Sequence, residues 1–230
     1  MSIVALIVAA GRGVRFGGDI PKQFALLDGK PILFHSIEIF EHMPEFDEIH
    51  LVLPRHSWRD FPNQYDLSPY PKIMGFGPGM GKRQDSAAIG VFRLPSNTEI
   101  VAIHDAVRPF AAPETIREAI ERARRMGAAI LAGPAVDTPK RCAEGGRVAE
   151  TIPRDRLWLA QTPQVFQFDL IRRAYERVWA DSVEVSDDAA AVERLGYPVE
   201  IVQSLRPNPK ITTPEDLRFA EWILREGKQS

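Results

Sequence analysis

The stretch IVALIVAAGRGVRFGGDIPKQF, residues 3–24, decides the fold of this chain. Its first part, Ile3–Val8, is a continuous apolar run, which is typical of a central parallel strand covered on both faces. The run is too short to span a membrane as a helix. The residues after it are rich in glycine and arginine, and ligands bind at the carboxyl ends of strands in open α/β sheets. The sequence therefore predicts an α/β domain with a binding site directly after its first strand.

Similar apolar runs alternate with amphipathic stretches along most of the chain, which is the pattern of a parallel sheet flanked by helices. The predicted strands are Ile3–Val8, Glu48–Leu53, Lys72–Gly75, Glu99–His104, Ala128–Ala132 and Val199–Val202. Predicted helices begin near Pro31, Pro113, Asp188 and Pro214. We expect a single Rossmann-like three-layer domain over residues 1–230, with a mostly parallel central sheet and helices on both faces.

One segment, residues 136–156, interrupts this alternation. It is polar, and Gly145-Gly146 lies between two short runs, which indicates a β-hairpin. A two-stranded hairpin is marginally stable by itself. We therefore predict an arm that projects from the sheet and packs against a second subunit, so that the protein forms a homodimer.

The overall charge gives no reason to expect a polyanionic partner. The 230 residues include 29 Lys and Arg against 31 Asp and Glu, a net charge of −2, so neither nucleic-acid nor anionic-membrane binding is predicted. Cys142 is the single cysteine, which excludes an internal disulfide and fits a reducing compartment. The Met-Ser start lacks the basic segment of a secretory signal. We expect a cytoplasmic protein.

The loop after the first strand has the chemistry of a phosphate site. Gly11 and Gly13 let backbone N–H groups approach an anion. Three nearby side chains add positive charge: Arg12, Arg15 and Lys22. A dinucleotide-binding fingerprint is disfavoured because Phe16 occupies its last glycine position and no ribose-binding acid follows the second predicted strand. A P-loop is disfavoured because no Gly-Lys-Ser/Thr triplet follows. On these residues alone, a glycine-rich turn with solvated arginines is the alternative.

Two further polar clusters follow predicted strands. Arg83-Gln84-Asp85-Ser86 begins an amphipathic stretch after several glycines, where free helix N–H groups and the Ser86 hydroxyl can bind a base or ribose. A capped helix after a loose glycine loop explains the same residues. In the second cluster, Asp105 and Arg108 form either a structural ion pair or a site for substrate hydroxyls, a metal-bound water and phosphate. His104 is interpreted as scaffold.

These motifs, in their order along the chain, resemble one known family. AAGRGVRFGGDIPKQF (9–24) is similar to the signature of nucleotidyltransferases with a glycosyltransferase-A-like fold. Later blocks narrow the resemblance to the 2-C-methyl-D-erythritol 4-phosphate cytidylyltransferases. Those blocks are RQDS (83–86), HDAVRPF (104–110), DTPK (137–140), RDRLW (154–158), QTPQ (161–164), SDDA (186–189) and NPKIT (208–212). The resemblance extends from Ile3 to the last helix.

The resemblance implies that a polyol phosphate attacks the α-phosphorus of CTP and that pyrophosphate leaves, with Mg²⁺ as the cofactor. It gives Arg15 and Lys22 the catalytic role of stabilising the transition state, and it assigns no metal ligand. The residues implied to bind the nucleotide are Ala9, Ala10, Gly11, Gly13, Arg83, Ser86 and Ala106. The residues implied to bind the polyol phosphate are Asp105, Arg108, Thr138, Arg154, Thr162, Ser186 and Lys210, with Thr138 and Arg154 expected from the second subunit's arm.

Some residues depart from the family pattern. Ser186 stands where threonine is more common, and it keeps the hydroxyl while losing a methyl group. Pro139 replaces the more usual aliphatic residue in the arm.

Two alternatives remain at this stage. A ribitol-5-phosphate cytidylyltransferase shares forms of HDAVRPF and KITTP, whereas DTPK, RLW and SDDA favour methylerythritol phosphate. A non-catalytic nucleotide-binding protein of the same fold should lack one or more of Arg15, Lys22 and Lys210, and all three are present.

Overall fold

A computed structural model describes residues 2–11, 13, 16–17 and 20–227. The strands are β1 (Ser2–Val8), β2 (Leu26–Leu27), β3 (Lys30–Pro31), β4 (Glu48–Leu53), β5 (Ile73–Pro78), β6 (Thr98–Asp105), β7 (Ala128–Pro134), β8 (Lys140–Cys142), β9 (Val148–Thr151), β10 (Trp158–Gln167) and β11 (Glu200–Gln203). The helices are α1 (Ile32–Glu41), α2 (Phe61–Gln64), α3 (Arg83–Val91), α4 (Pro113–Met126), α5 (Phe168–Ala180), α6 (Asp188–Glu193) and α7 (Pro214–Gly227).

The central sheet has seven strands in the order β11-β7-β10-β6-β1-β4-β5. Adjacent strands of the sheet are parallel, except that β10 runs antiparallel to both β6 and β7. The prediction of a mostly parallel sheet is confirmed. The chain moves outward from β1 through β4 to β5 and then returns to the other side of β1 as β6. At this reversal Val8 is in register with Asp105, so the loops after β1 and β6 begin side by side.

The sequence predicts six of the seven sheet strands and misses β10. Glu48–Leu53 has the predicted bounds. β10 is missed because its first four residues, Trp158–Gln161, are exposed or only partly buried and directly follow the polar arm; burial begins at Thr162. The sequence also did not predict α5, which follows β10 directly.

Helices cover both faces of the sheet, as predicted. On one face Ile7 of β1 packs in a cluster with Phe40 of α1 and Ile116 of α4. On the other face Leu6 packs in a cluster with Tyr175 of α5 and with residues of α3 and α6. Each large apolar side chain removed from water contributes about 1.5–3 kcal/mol to stability. Because alternate side chains of β1 pack into the two clusters, β1 is held firmly in the sheet. The glycine- and arginine-rich loop that follows β1 therefore starts from a fixed position.

The predicted hairpin is present as β8 and β9. Lys140 pairs with Thr151 and Arg141 with Glu150 in an antiparallel register, and residues 140–151 are exposed throughout. The Gly145-Gly146 turn has positive φ at both glycines, 77° and 76°, a conformation that glycine adopts without strain. No helix in the part of the chain that the structure describes is long and apolar enough to cross a membrane.

Candidate active site

The backbone after β1 is held in place by Gln23. Gln23 is buried, and its Nε2 donates hydrogen bonds to the carbonyl oxygens of Ala9 (2.6 Å) and Gly11 (3.2 Å). The Ala9 N–H donates in turn to the Val52 carbonyl at 2.7 Å. The start of the loop is therefore anchored on two sides. Gly13, with φ of 64°, packs against Lys22 further along.

A cleft formed by two adjoining cavities opens at the carboxyl ends of β1 and β6. The smaller cavity, of about 140 Å³, brings together predicted residues from five separate parts of the sequence: Ala9, Ala10, Gly11, Lys22, Arg83, Ser86, Asp105, Ala106 and Lys210. The larger cavity, of about 590 Å³, shares Ala10 and Gly11 with it and extends to Arg55 and His56. Small-molecule sites commonly enclose about 300–1,000 Å³, so the cleft has the size of a nucleotide site.

Ser86 shapes the wall of the cleft opposite the first loop. Its Oγ accepts a hydrogen bond from Met80 N–H at 2.9 Å and lies 3.0 Å from the Lys82 carbonyl oxygen, to which the hydroxyl can donate. Gly79 approaches the first loop so closely that a Cβ added there would lie 2.1 Å from the Ala10 Cβ. Glycine is therefore needed at position 79 for the two loops to meet.

Asp105 is a carboxylate shared among three basic side chains. Its Oδ1 accepts a hydrogen bond from Arg83 Nε at 2.9 Å, and its Oδ2 lies 2.7 Å from Lys210 Nζ and 3.9 Å from Arg108 Nε. Burial alone would raise the pKa of Asp105, but Arg83 and Lys210 outweigh burial and hold this pKa well below its usual range. Asp105 is therefore ionised throughout the physiological pH range.

Arg83 is fixed by a second, fully buried carboxylate. Its NH1 and NH2 donate to the two carboxylate oxygens of Asp188 at 2.8 and 2.9 Å, and the Tyr175 hydroxyl also donates to Asp188. Burial opposes the charge on Arg83, but Asp188 and Asp105 raise its pKa well above the ordinary value. Burial and the Asp188 charge likewise raise the pKa of Tyr175, so its hydroxyl keeps its proton. Arg83 thus links α3, α6 and the end of β6.

His104 is a neutral imidazole that contacts two neighbours of Asp105, namely Arg108 and Thr162. Its Nε2 lies 3.0 Å from the Arg108 carbonyl oxygen and its Nδ1 lies 3.2 Å from Thr162 Oγ1. Thr162 Oγ1 also accepts the Asp105 N–H at 3.0 Å. Burial lowers the pKa of His104 to about 4. These distances fit a neutral ring in which Nε2–H donates to the Arg108 carbonyl and Nδ1 accepts the Thr162 hydroxyl proton.

Asn208 connects the same region to the segment that carries Lys210. Its Nδ2 donates to the Thr162 carbonyl at 2.9 Å, and its own carbonyl accepts from Arg108 NH1 at 2.7 Å. Ile211 N–H donates to the Val107 carbonyl at 2.9 Å. Lys210 lies between these two anchored residues, which explains how a distant part of the chain brings a cation to Asp105.

The other predicted residues that the structure describes do not line the cleft of their own chain. Thr162 is buried next to Asp105, and the Arg108 side chain beside it is 13% exposed. Ser186 directly precedes α6 and its cap residue Asp187. Thr138 and Arg154 are exposed within the arm, where Arg154 donates a hydrogen bond to the Val136 carbonyl. Arg15, like Arg12, lies outside the described residues.

Several residues that organise the cleft were not predicted as site residues. Gln23 and Asp188 lie within PKQF and SDDA, two of the motifs that carry the family resemblance. Their position in these motifs is a signal in the sequence that could have identified them as site residues. Asn208 likewise begins the NPKIT block. Tyr175 gave no signal, because it lies in an ordinary amphipathic helix and only the fold brings its hydroxyl to Asp188.

Comparisons with known proteins point to one family. The family model described as 2-C-methyl-D-erythritol 4-phosphate cytidylyltransferase matches residues 3–226. The protein of that name from Syntrophus aciditrophicus (strain SB) is 43% identical over 226 residues, which cover 97% of this chain and 96% of the relative. A relative of the same name from Dehalococcoides mccartyi (strain ATCC BAA-2266) is 41% identical over 224 residues, with 97% and 96% coverage. The crystal structure of 4-diphosphocytidyl-2C-methyl-D-erythritol synthase from Anaerococcus prevotii DSM 20548 aligns with a TM-score of 0.84 at 32% identity, covering 97% of this chain and 98% of that one.

Proposed function

The chain belongs to the 2-C-methyl-D-erythritol 4-phosphate cytidylyltransferase family, and from this premise we propose how its cleft works. The enzyme condenses CTP with 2-C-methyl-D-erythritol 4-phosphate to give 4-diphosphocytidyl-2-C-methyl-D-erythritol and pyrophosphate, a step of non-mevalonate isoprenoid precursor synthesis. One observation carries the assignment of roles to residues: Lys22, Arg83 and Lys210 meet around Asp105 in a single cavity.

The charge around the cleft suits a substrate with several phosphate groups. Two carboxylates, Asp105 and Asp188, are surrounded by basic side chains. Those side chains are Arg83, Arg108 and Lys210, with Lys22 lining the same cavity. Positive charge therefore exceeds negative charge locally, although the chain as a whole has a net charge of −2. A local excess in a partly enclosed cleft attracts anions more strongly than the net charge suggests.

CTP would lie between the loop after β1 and the loop before α3. Backbone groups of Ala10 and Gly11 form one wall, and Ser86 with its glycine loop forms the other. α3 begins at Arg83 without a side-chain cap from its N-cap residue Lys82, so its first N–H groups can bind the base or ribose beside Ser86. We assign the triphosphate to the loop after β1, with Lys22 and Arg15 as its cationic contacts.

The reaction needs no protein nucleophile, because the phosphate of the polyol is itself largely dianionic near neutral pH. Its oxygen attacks the α-phosphorus of CTP, and the protein aligns the two reactants and stabilises negative charge on the phosphorus oxygens. Arg15 and Lys22 stabilise the transition state. Lys210, which now contacts Asp105 Oδ2, would turn to the substrate phosphate and leave that oxygen to accept a substrate hydroxyl.

The residues of the cleft fit a magnesium ion held mainly by the nucleotide. In the described ranges, no group of three His, Cys, Asp or Glu side chains could hold a metal, and Asp105 is the one carboxylate that lines the smaller cavity. Mg²⁺ characteristically binds through one or two carboxylates together with substrate phosphates and water, so this donor set is adequate. When bound, the ion supplies charge neutralisation on the triphosphate.

A second subunit would complete the polyol-phosphate subsite. Thr138 and Arg154 belong to an exposed arm that does not line its own cleft, and an isolated hairpin gains little stability. We propose that the arm packs on a second copy and brings its Thr138 and Arg154 to the partner's cleft. The exposed single thiol of Cys142 suits a reducing compartment, which supports a cytoplasmic location.

A pyrophosphate-release assay tests the function. Enzyme, CTP and Mg²⁺ are incubated in separate reactions with 2-C-methyl-D-erythritol 4-phosphate and with ribitol 5-phosphate. We expect fast release with the first and little with the second. Release with ribitol 5-phosphate alone would establish the alternative cytidylyltransferase, and CTP binding without release in any reaction would indicate a non-catalytic nucleotide-binding protein.

A further inference from the structure

The segment between α5 and α6 that carries Ser186 is attached to α3 by Gln84. Gln84 lies in the first turn of α3, and its Nε2 donates to the Val183 carbonyl at 3.2 Å. Its Oε1 accepts from the Val185 N–H at 2.9 Å. One side chain therefore binds the backbone on both sides of Glu184, and the second of these bonds fixes the residue directly before Ser186.

Gln164 of β10 anchors the residues directly after Ser186. Its Nε2 donates to Asp187 Oδ2 at 2.8 Å, and its Oε1 accepts from the Ala189 N–H at 2.9 Å. Asp187 also accepts the Ala190 N–H at 3.0 Å and so caps α6. Ser186 thus lies between two residues whose positions are set by glutamines from different elements of the fold.

The two glutamines differ in their burial and in their neighbours. Gln164 is 1% exposed in the core, so a substitution there threatens folding. Gln84 is half-buried and follows Arg83, in the same helix that carries Ser86 on the cleft wall. α3 therefore supports both the proposed nucleotide wall and the segment that presents Ser186.

We propose that Gln84 is a positioning residue for the polyol phosphate. It acts through the backbone of Val183 and Val185, which it holds so that the Ser186 hydroxyl is presented to the substrate. This role rests on the proposed function, with Ser186 binding the polyol phosphate as the family resemblance implies. Loss of the Gln84 side chain frees the segment and weakens polyol-phosphate binding, while Arg83 and Ser86 keep the nucleotide wall intact.

A double-mutant cycle on steady-state kinetics tests this role. Gln84→Ala is expected to raise KM for 2-C-methyl-D-erythritol 4-phosphate about tenfold, the effect of losing two modest hydrogen bonds, and to change KM for CTP less than about twofold. Gln84→Ala combined with Ser186→Ala is expected to show the same KM as Ser186→Ala alone, because Gln84 acts through Ser186. Gln84→Glu keeps the acceptor for Val185 N–H but loses the donor to Val183, and is expected to give an intermediate KM.

Glu184→Ala is the matched control. It removes an exposed ion pair with Lys82 from the same segment but leaves both Gln84 hydrogen bonds, so wild-type kinetics are expected. Thermal unfolding of each variant shows whether the protein remains folded at the assay temperature.

The outcomes distinguish the proposed function from this inference. If Ser186→Ala leaves KM for the polyol phosphate unchanged, the assignment of Ser186 is wrong and the role of Gln84 falls with it. If Ser186→Ala raises KM but Gln84→Ala does not, the role of Gln84 alone is overturned. The role of Gln84 is also overturned if Gln84→Ala raises KM by the same factor in the wild-type protein and in the Ser186→Ala variant. Equal factors would mean that the free-energy effects of the two substitutions are additive, as expected if Gln84 does not act through Ser186.

Discussion

Replacing Asp188 with asparagine removes the charge that holds Arg83 in the cleft wall. The Asp188 side chain is fully buried and accepts hydrogen bonds from Arg83 at 2.8 and 2.9 Å and from the Tyr175 hydroxyl. Asparagine has nearly the same volume, so the packing of α6 is preserved. The change instead leaves Arg83 with one carboxylate partner, Asp105, and replaces an acceptor oxygen by an NH₂ group.

The expected loss of stability follows from this geometry. Removing one partner of a buried ion pair costs about 3–5 kcal/mol. Arg83 keeps its bond to Asp105 and its side chain is 29% exposed, so part of its charge can be solvated. We therefore expect the free energy of unfolding to fall by about 2–3 kcal/mol, at or just below the lower end of that range.

Urea denaturation at pH 7, followed by circular dichroism, measures this loss. Asp181→Asn is the matched control, because Asp181 is likewise an aspartate paired with arginine, here Arg177 and Arg194, but at the surface. Exposed pairs contribute about 0–1 kcal/mol, so the control should lose little. If Asp188→Asn and Asp181→Asn are destabilised equally, the reasoning about the buried network is refuted. A larger loss for Asp188→Asn should be accompanied by lower turnover, because Arg83 is no longer fixed by Asp188 and holds Asp105 less firmly.

The remaining predictions concern catalysis, the cleft, pH and the arm. Lys22→Ala should reduce kcat by about 10²–10³, the effect of losing a charged transition-state contact, and an unchanged kcat in the pyrophosphate assay would rule out its role. Gly79→Ala places a Cβ 2.1 Å from the Ala10 Cβ and should weaken CTP binding more than about tenfold by calorimetry; wild-type affinity would contradict the close approach of the loops. Burial lowers the pKa of His104 from 6.5 to about 4, so between these pH values the unfolded state binds more protons than the folded state. The free energy of unfolding measured in urea should therefore fall as the pH decreases from 6.5 to 4, by up to about 1.4 kcal/mol per pH unit. The slope should be shallower for His104→Gln. Under the proposal that the arm joins two copies, replacing residues 140–151 by a short glycine linker should give a monomer with little turnover, as measured by light scattering and kinetics; an active dimer would disprove the role of the arm.

The sequence predicts most of the sheet because buried parallel strands have a simple signature. The apolar runs at Ile3–Val8 and Glu48–Leu53 correspond closely to β1 and β4. The hairpin was predictable from Gly145-Gly146 and its polar flanks. β10 was not, because its first four residues are exposed or only partly buried, so without knowledge of its partners β6 and β7 it cannot be distinguished from the arm that precedes it.

The site was predictable where it follows from strand direction. Val8 and Asp105 end adjacent parallel strands, so the loops after them had to meet. The spacing of residues along the sequence does not show that Lys210 lies next to Asp105, because the two residues are far apart in the chain. Only the family resemblance suggested Lys210 as a site residue. The contacts of Gln84 were hidden for another reason, since hydrogen bonds from a glutamine to a distant backbone leave no pattern in the sequence.

The phosphorus atom of CTP that is attacked distinguishes a cytidylyltransferase from a kinase. The enzyme is incubated with Mg²⁺, 2-C-methyl-D-erythritol 4-phosphate and CTP carrying a radioactive label on the α-phosphate in one reaction and on the γ-phosphate in another. With the cations around Asp105 directing attack at the α-phosphorus, the α-label should appear in the polyol product and the γ-label in pyrophosphate. Transfer of the γ-label to the polyol product would contradict this account.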